Sequence, residues 1–419
     1  MLQSSNHPAA VRSPIHISHL SLTNFRNYEA LELDLEPGMA VIQGANGQGK
    51  SNLLEAAYVL AIGKSPRASA DRELVRWQPR TADAYSQVSA EIERNAGRVK
   101  LRIDFRVPTT GAETNGDARA EPQPDVSIGP SIQKYIRVNG VPRRTSELVG
   151  QLSAVMFSAD DLDLVYGSPS VRRRYLDIMI SQSDRQYLNA LQHYHRITYQ
   201  RNHLLRMVRE SRAGRDELGF WDDELVGVGK QIMARRIQTV TALSDLARPI
   251  HAGLTDRRES LELVYEPNVP VDAGASQDDI ADGIKEALEA RRERELAQAV
   301  TVTGPHRDDL RVLVDGLDAA AYASRGQSRT GALAMKLAEA GFQKAQRGDE
   351  PVLLLDDVLS ELDAARRSRV LETASEYQQC LITTTDVQSI DTRFLATVSR
   401  LAVSHGRVTA EGVASESQI

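Results

Sequence analysis

The sequence predicts an α/β protein: a mixed sheet with flanking helices, into which a separate helical domain is inserted. Three observations predict it. A glycine-rich loop, Gly44–Ser51, stands between a short apolar strand and an apolar helix. An unbroken apolar run, Val352–Leu355, ends in Asp356 and Asp357 and has the form of a central parallel strand buried on both faces. More than 300 positions separate the two. That is far more than one α/β layer needs, and much of the intervening chain has helical spacing.

Taken in order, residues 1–13 read as a loose tail. Ile15–Leu22 and Leu31–Leu35 carry strand signals around a turn at Asn24–Tyr28, which makes a hairpin. Pro37-Gly38 breaks the chain before the apolar strand Met39–Ile42, and Ser51 to about Ile62 is strongly helical. Alternation at Ser86–Ile92 and Val99–Val107 predicts two more strands, followed by a polar surface insertion over about 109–129. Residues 14–167 thus form the first part of the sheet-bearing head. Residues 168–299 form the helical domain, with breaks at Ala213–Gly219 and Pro267–Ala275, and their apolar spacing does not persist as heptads through those breaks. Strands return at Thr301, Leu310–Val314, Val352–Leu355, Leu381–Thr384 and Leu401–Val403, so 300–403 is the second part of the head and 404–419 a second tail.

Composition narrows the function classes. With 419 residues and 41% hydrophobic content, the chain can bury substantial cores in two or three domains. It has neither an apolar run of membrane-spanning length nor a signal-peptide pattern at its start. Cys380 is the single cysteine, which excludes intrachain disulfides and cysteine-based metal sites, and a cytoplasmic setting is expected. Net charge is −6, so any nucleic-acid site must be local. Val171–Arg212 is the candidate, with nine arginines against Asp177, Asp184 and Glu210.

Gly44-Ala45-Asn46-Gly47-Gln48-Gly49-Lys50-Ser51 fits the phosphate-loop pattern G-x-x-x-x-G-K-[ST]. Glycines there allow a tight turn whose backbone N–H groups face an anion, aided by the positive end of the following helix. Lys50 is expected on the β- and γ-phosphates of ATP, and Ser51 on Mg²⁺. Asp356 is the second expected Mg²⁺ ligand, and Asp357 stands where a general base or water-orienting carboxylate is needed. Lys50 and Asp357 are therefore the expected catalytic pair.

Two short motifs extend this. Ser324-Arg325-Gly326-Gln327 precedes a helical stretch, Arg329–Gln346, and resembles the signature of ABC ATPases with Arg325 in place of the first glycine. In that class the signature of one subunit caps the γ-phosphate held by the other, using a hydroxyl, a glycine N–H and a helix N-terminus. Ser360-Glu361-Leu362-Asp363 resembles the D-loop, with Ser360 and Asp363 as its polar members; S-x-L-D is also an ordinary helix cap. Where ABC proteins carry Glu after the metal aspartate, this chain has Asp357, one methylene shorter, and slow hydrolysis is the expectation. The whole resembles an ABC/SMC-like P-loop ATPase head with an inserted helical domain too short for an SMC arm.

Further stretches narrow the resemblance: Asn24-Phe25-Arg26-Asn27-Tyr28, Phe157-Ser158-Ala159-Asp160-Asp161-Leu162, Gly167-Ser168-Pro169 leading to Arg172-Arg173-Arg174-Tyr175, and Gly304-Pro305-His306-Arg307-Asp308. Together they resemble the RecF family along most of the chain, excluding both tails and the polar insertion. The resemblance implies an ATP-dependent homodimer that binds duplex DNA near gaps or single-strand junctions. It also implies work with RecR and RecO, a functional link to RecA loading, no membrane role, and a nucleoid-associated place in the cytoplasm. Arg26 matches a position near the nucleotide, and Asp160-Asp161 stand where ABC proteins carry a coupling glutamine. Arg67 reads either as an arginine near the phosphates or as a surface ion pair, and His306 as a packed turn residue. Arg172, Arg173, Arg174, Arg196, Arg201, Arg206 and Arg209 are the candidates for DNA phosphate contacts. Alternatives are the ATPase subunit of a transporter, another SMC-like DNA ATPase, or a P-loop kinase. The long helical insertion and the lack of a switch histidine around Thr383–Asp386 oppose the transporter reading, and the signature opposes the kinase.

Overall fold

The computed structural model describes residues 15–76, 85–94, 97–106, 132–272 and 274–411. The expected tail at 1–13 and the insertion at 109–129 lie outside the described residues. In chain order the strands are β1 (His16–Phe25), β2 (Tyr28–Asp34), β3 (Gly38–Gln43), β4 (Tyr85–Glu93), β5 (Val99–Arg106), β6 (Gln133–Val138), β7 (Val141–Arg143), β8 (Ala154–Phe157), β9 (Leu261–Glu266), β10 (Asp309–Val314), β11 (Leu317–Asp318), β12 (Val352–Asp356), β13 (Gln379–Thr384), β14 (Ser399–Ser404) and β15 (Arg407–Glu411). The helices are α1 (Lys50–Ile62), α2 (Thr145–Leu148), α3 (Asp163–Tyr166), α4 (Pro169–Ser183), α5 (Arg185–Arg209), α6 (Leu218–Leu254), α7 (Gln277–Ala290), α8 (Arg292–Gln298), α9 (Ala319–Tyr322), α10 (Arg325–Arg347), α11 (Ala364–Ser375) and α12 (Thr392–Leu395).

The chain divides into two compact units. One comprises Met1–Leu148, Asp349–Glu361 and Leu371–Ile419; the other comprises Val149–Gly348 and Leu362–Val370. This differs from the expected boundaries at 168 and 299. The signature and its helix α10 belong with the helical unit, because α10 packs along α6 and α4 rather than standing apart from them.

In the first unit, the antiparallel sheet β2-β1-β4-β5-β6-β7 begins with the expected hairpin, which turns at Arg26 and Asn27. A second sheet runs β15-β14-β3-β13-β12, with β14, β3, β13 and β12 mutually parallel. Helix α1 packs against β12 and β13 of this sheet and against β1, β4 and β5 of the other. Enclosure by two sheets explains why nearly every residue of α1 is buried and why its sequence is apolar on all sides. Strand β15 corrects the expectation of a tail from 404 onward. Arg407–Glu411 turn back at His405-Gly406 and pair antiparallel with β14.

In the second unit, α5, α7 and α10 pack on the 37-residue α6, and β9, β10 and β11 form a small antiparallel sheet beside it. Strand β9 is a correction within the helical domain. Leu261-Glu262-Leu263 alternates with the period of a strand, and Leu261 and Leu263 are buried while pairing with β10. Thr301, expected in a strand, is a fully buried loop residue that accepts from Arg201 through its hydroxyl.

Candidate functional site

Strand register brings the site together. Asp356 pairs with Thr383 across β12 and β13, and Thr383 pairs with Ile42 across β13 and β3. The carboxyl ends of three parallel strands therefore lie in one row, and the glycine loop leaves from that edge, where open α/β sheets place their ligands. Ser51, in the first turn of α1, donates from Oγ to Asp356 Oδ1 at 2.7 Å. Thr383 Oγ1 donates to the same oxygen at 2.7 Å and accepts the Asp357 N–H at 2.9 Å. Thr383 was not among the expected site residues. Its signal was its place at the end of an apolar strand, which the sequence offers at many threonines.

The loop is shaped by what holds its carbonyls. Lys50 Nζ donates to Gly44 O at 2.7 Å and to Ala45 O at 3.0 Å. Gln48 O accepts from Asn27 Nδ2 and from the Gly406 N–H, and Gly49 O accepts from the buried Tyr28 hydroxyl. With these carbonyls drawn away, the turn can face its N–H groups inward. Gly49 requires glycine twice over: its φ is 116°, and a Cβ there would meet the Asn27 amide at 2.5 Å. A Cβ on Gly44 would collide with the Val403 carbonyl on β14. Ala45, Asn46 and Gly47 are exposed, and the first turn of α1 carries no acid to compete with an anion.

These residues fit a phosphate chain with Mg²⁺. Ser51 and Asp356 present a hydroxyl and a carboxylate to one point, and Lys50 is an ammonium held by replaceable carbonyl contacts. Burial pushes the Lys50 ammonium below its ordinary range, opposed by Asp357 and Asp356. Partial burial raises the Asp357 carboxyl, opposed by Ser360 and Lys50 and reinforced by Asp356. Asp357 is exposed in a left-handed conformation, φ 53°, which turns it away from the strand. Ser360 Oγ donates to Asp357 O at 2.9 Å. In the other unit, Asp363 caps α11 by accepting the Arg366 N–H at 2.9 Å.

Arg26, expected near the nucleotide, lies in the loop-facing hairpin turn and has its guanidinium held within the unit. Nε and Nη2 donate to the two oxygens of Glu55 at 2.9 and 2.8 Å, and Nη1 donates to Glu73 O at 2.8 Å. Glu55 is fully buried in α1, so this pairing neutralises the one acid in that helix. Arg67 is exposed.

The signature residues Ser324, Arg325 and Gly326 are exposed at the start of α10, with Ser324 as N-cap. Ser324 Oγ accepts the Gln327 N–H, and Gln327 Oε1 accepts the Ser324 N–H at 2.8 Å, forming a capping box. In the segment where a coupling glutamine was sought, Asp161 is a capping acid that accepts the Ser158 N–H at 2.7 Å.

The arginine-rich segment divides. Arg201 is fully buried between Asp222, Glu295 and Thr301, which corrects its assignment to a DNA-facing set. Arg172 is also buried, paired with both oxygens of Asp309, and Arg173 donates to Asp308 O. Arg174, Arg196, Arg206 and Arg209 are exposed. Helix α5, which carries three of them, contains no acid in its 25 residues. His306 is a packed turn residue: its Nε2 bonds to Thr301 O at 3.0 Å and its Nδ1 to the Tyr194 hydroxyl at 2.8 Å. Burial lowers its ring to about 4.

Comparison with known proteins places this geometry. The family model described as the RecF/RecN/SMC N-terminal domain matches residues 16–404. The DNA replication and repair protein RecF of Chloroflexus aurantiacus is 40% identical over 406 residues, covering 94% of this chain and 100% of the relative. RecF of Bacillus subtilis is 37% identical over 394 residues, covering 94% and 99%. Among solved structures, the recombination mediator protein RecF with ATP, in the RecFOR pathway, superposes with a TM-score of 0.84 at 30% identity, covering 97% of this chain and 100% of that one. The Smc head domain of Pyrococcus furiosus, bound to the C-terminal domain of ScpA, gives a TM-score of 0.52 at 17% identity, a likeness of fold alone. Among the described residues no helix is long and apolar enough to cross a membrane.

Proposed function

The chain belongs to the RecF family of DNA replication and repair proteins, and from that premise we propose that it is an ATP-switched, DNA-binding homodimer of recombinational gap repair. In this reading it assists RecA loading together with RecO and RecR. One observation carries it: Ser51 and Asp356 meet through a direct hydrogen bond at the mouth of a phosphate loop.

Lys50 binds the phosphates of ATP by exchanging its contacts with Gly44 O and Ala45 O for anionic oxygens. Ser51 and Asp356 hold Mg²⁺, and Thr383 orients the Asp356 carboxylate for it. Bound Mg²⁺ neutralises phosphate charge. Asp357 orients a water, and its shorter side chain makes hydrolysis slow.

Ser324, Gly326 and the N-terminus of α10 serve the phosphates held by a second copy, and their exposure supports that role. Ser360 and Asp363 are the accompanying D-loop contacts. Arg174, Arg196, Arg206 and Arg209 contact DNA phosphates, giving salt-sensitive binding largely independent of base sequence. The likeness to a RecF structure with ATP supports the choice of nucleotide.

The test is the mass and DNA retention of the purified protein with and without ATP and Mg²⁺. A doubled mass and retention that needs ATP are expected. A mass unchanged by ATP overturns the switch.

A further inference from the structure

The capping box at Ser324 rests on a third residue. The Gln327 side-chain amide uses its oxygen for the Ser324 N–H and its nitrogen for Glu259 Oε1, at 3.1 Å. Glu259 lies between α6 and β9, two residues before the strand begins. As an acceptor only, a carboxylate fixes which end of the amide faces it. Without it the amide can turn over and present NH₂ to the Ser324 N–H, donor against donor, and that arm of the capping box is lost.

The other side of Glu259 faces the unit's interior. Its Oε2 is buried and has no hydrogen-bond partner among the described residues, and it stands 3.8 Å from Nε2 of the fully buried His251. The same end of α6 receives the D-loop side. Arg366 Nε donates to Leu254 O at 3.1 Å while its backbone N–H is held by Asp363, and Arg369 pairs with Asp256 at 2.6 Å. The two segments assigned to reach a second copy, signature and D-loop, are thus braced on one short stretch, 251–259.

We propose that Glu259 is a positioning residue for the signature: through Gln327 it holds Ser324 in the geometry that a second copy of this chain must meet. The inference rests on the ATP-switch reading for its consequence, while the positioning itself belongs to the free chain.

Glu259→Met removes the acceptor at similar length, and Glu259→Gln keeps one. Two measurements on the full chain decide the matter. Amide hydrogen exchange without nucleotide should be faster by about fivefold at Ser324, whose N–H the Gln327 oxygen accepts, in E259M, and unchanged in E259Q. ATP-dependent self-association should weaken by a similar factor in E259M with ATP affinity of the dilute monomer unchanged, and E259Q should restore it. Wild-type exchange rates in E259M overturn the proposal, as does an equal loss of monomer ATP affinity, which marks a general structural defect. If the wild-type chain does not associate with ATP, the switch reading falls, and the exchange rates still decide whether Glu259 positions the cap.

Discussion

Ser51 and Asp356, 305 positions apart, are joined by a 2.7 Å hydrogen bond. Asp356 Oδ1 accepts from both Ser51 and Thr383, so the carboxylate is aimed before any cation arrives. Asp356→Asn replaces a charged acceptor by a neutral amide. The Mg²⁺-dependent part of ATP affinity should fall by about ten- to a hundredfold, with binding in chelator little changed. Titration of a nonhydrolysable ATP analogue with and without Mg²⁺ measures this. Equal affinities for wild type and variant in Mg²⁺ would remove Asp356 from the site.

Lys50→Met should abolish nucleotide binding and ATP-induced dimerisation, because no other cation of the loop can replace the ammonium. Asp357→Asn should retain binding and accumulate a closed dimer on DNA, because the water-orienting charge is gone while the phosphate contacts remain. Sizing both variants with ATP separates these roles. Unchanged dimerisation of Lys50→Met refutes the role given to Lys50.

The arginines of α5 should split by burial. Replacing Arg196, Arg206 and Arg209 together by Ala should weaken DNA binding and flatten its salt dependence by up to about three in the log–log slope, with stability little changed. Arg201→Ala should instead destabilise the fold by about 3–5 kcal/mol, because Asp222 and Glu295 are left buried without their partner. Denaturant melts and salt titrations on the two variants check the split. A stable Arg201→Ala protein contradicts it.

His306 gives the helical unit a pH dependence. Its ring falls to about 4 in the folded protein, below the ordinary 6.5, with burial as the main cause. Stability from this residue is complete above pH 6.5 and is lost as pH falls toward 4, by roughly 3 kcal/mol in all. Protonation would put a second donor against the Tyr194 hydroxyl. His306→Gln should remove that part of the slope, measured by urea melts between pH 7 and 4. An identical slope in both proteins would exclude the histidine as its source.

The loop and the carboxylate strand were legible because each depends on local chemistry. Glycines at Gly44 and Gly49 are dictated by backbone crowding, and Val352–Leu355 by burial on both faces. Arg201 was misread for the opposite reason. A buried arginine and an exposed one have the same local pattern, and only acids distant in sequence, Asp222 and Glu295, decide between them. Thr383 was missed because its value lies in register with Asp356, which sequence spacing does not encode. Strand β9 was absorbed into the helical pattern because six residues among long helices weigh little, although Leu261 and Leu263 already alternate.

Strand β3 lies between β13 and β14, both made more than 300 residues after it. At ribosomal rates of about 5–20 residues per second, it waits on the order of tens of seconds with both edges unpaired. Val149–Gly348, by contrast, is continuous and made before those partners emerge, lacking only Leu362–Val370 of its unit. The strand that leads into the loop therefore remains an open edge until translation is nearly finished, when most of the other unit has already been made.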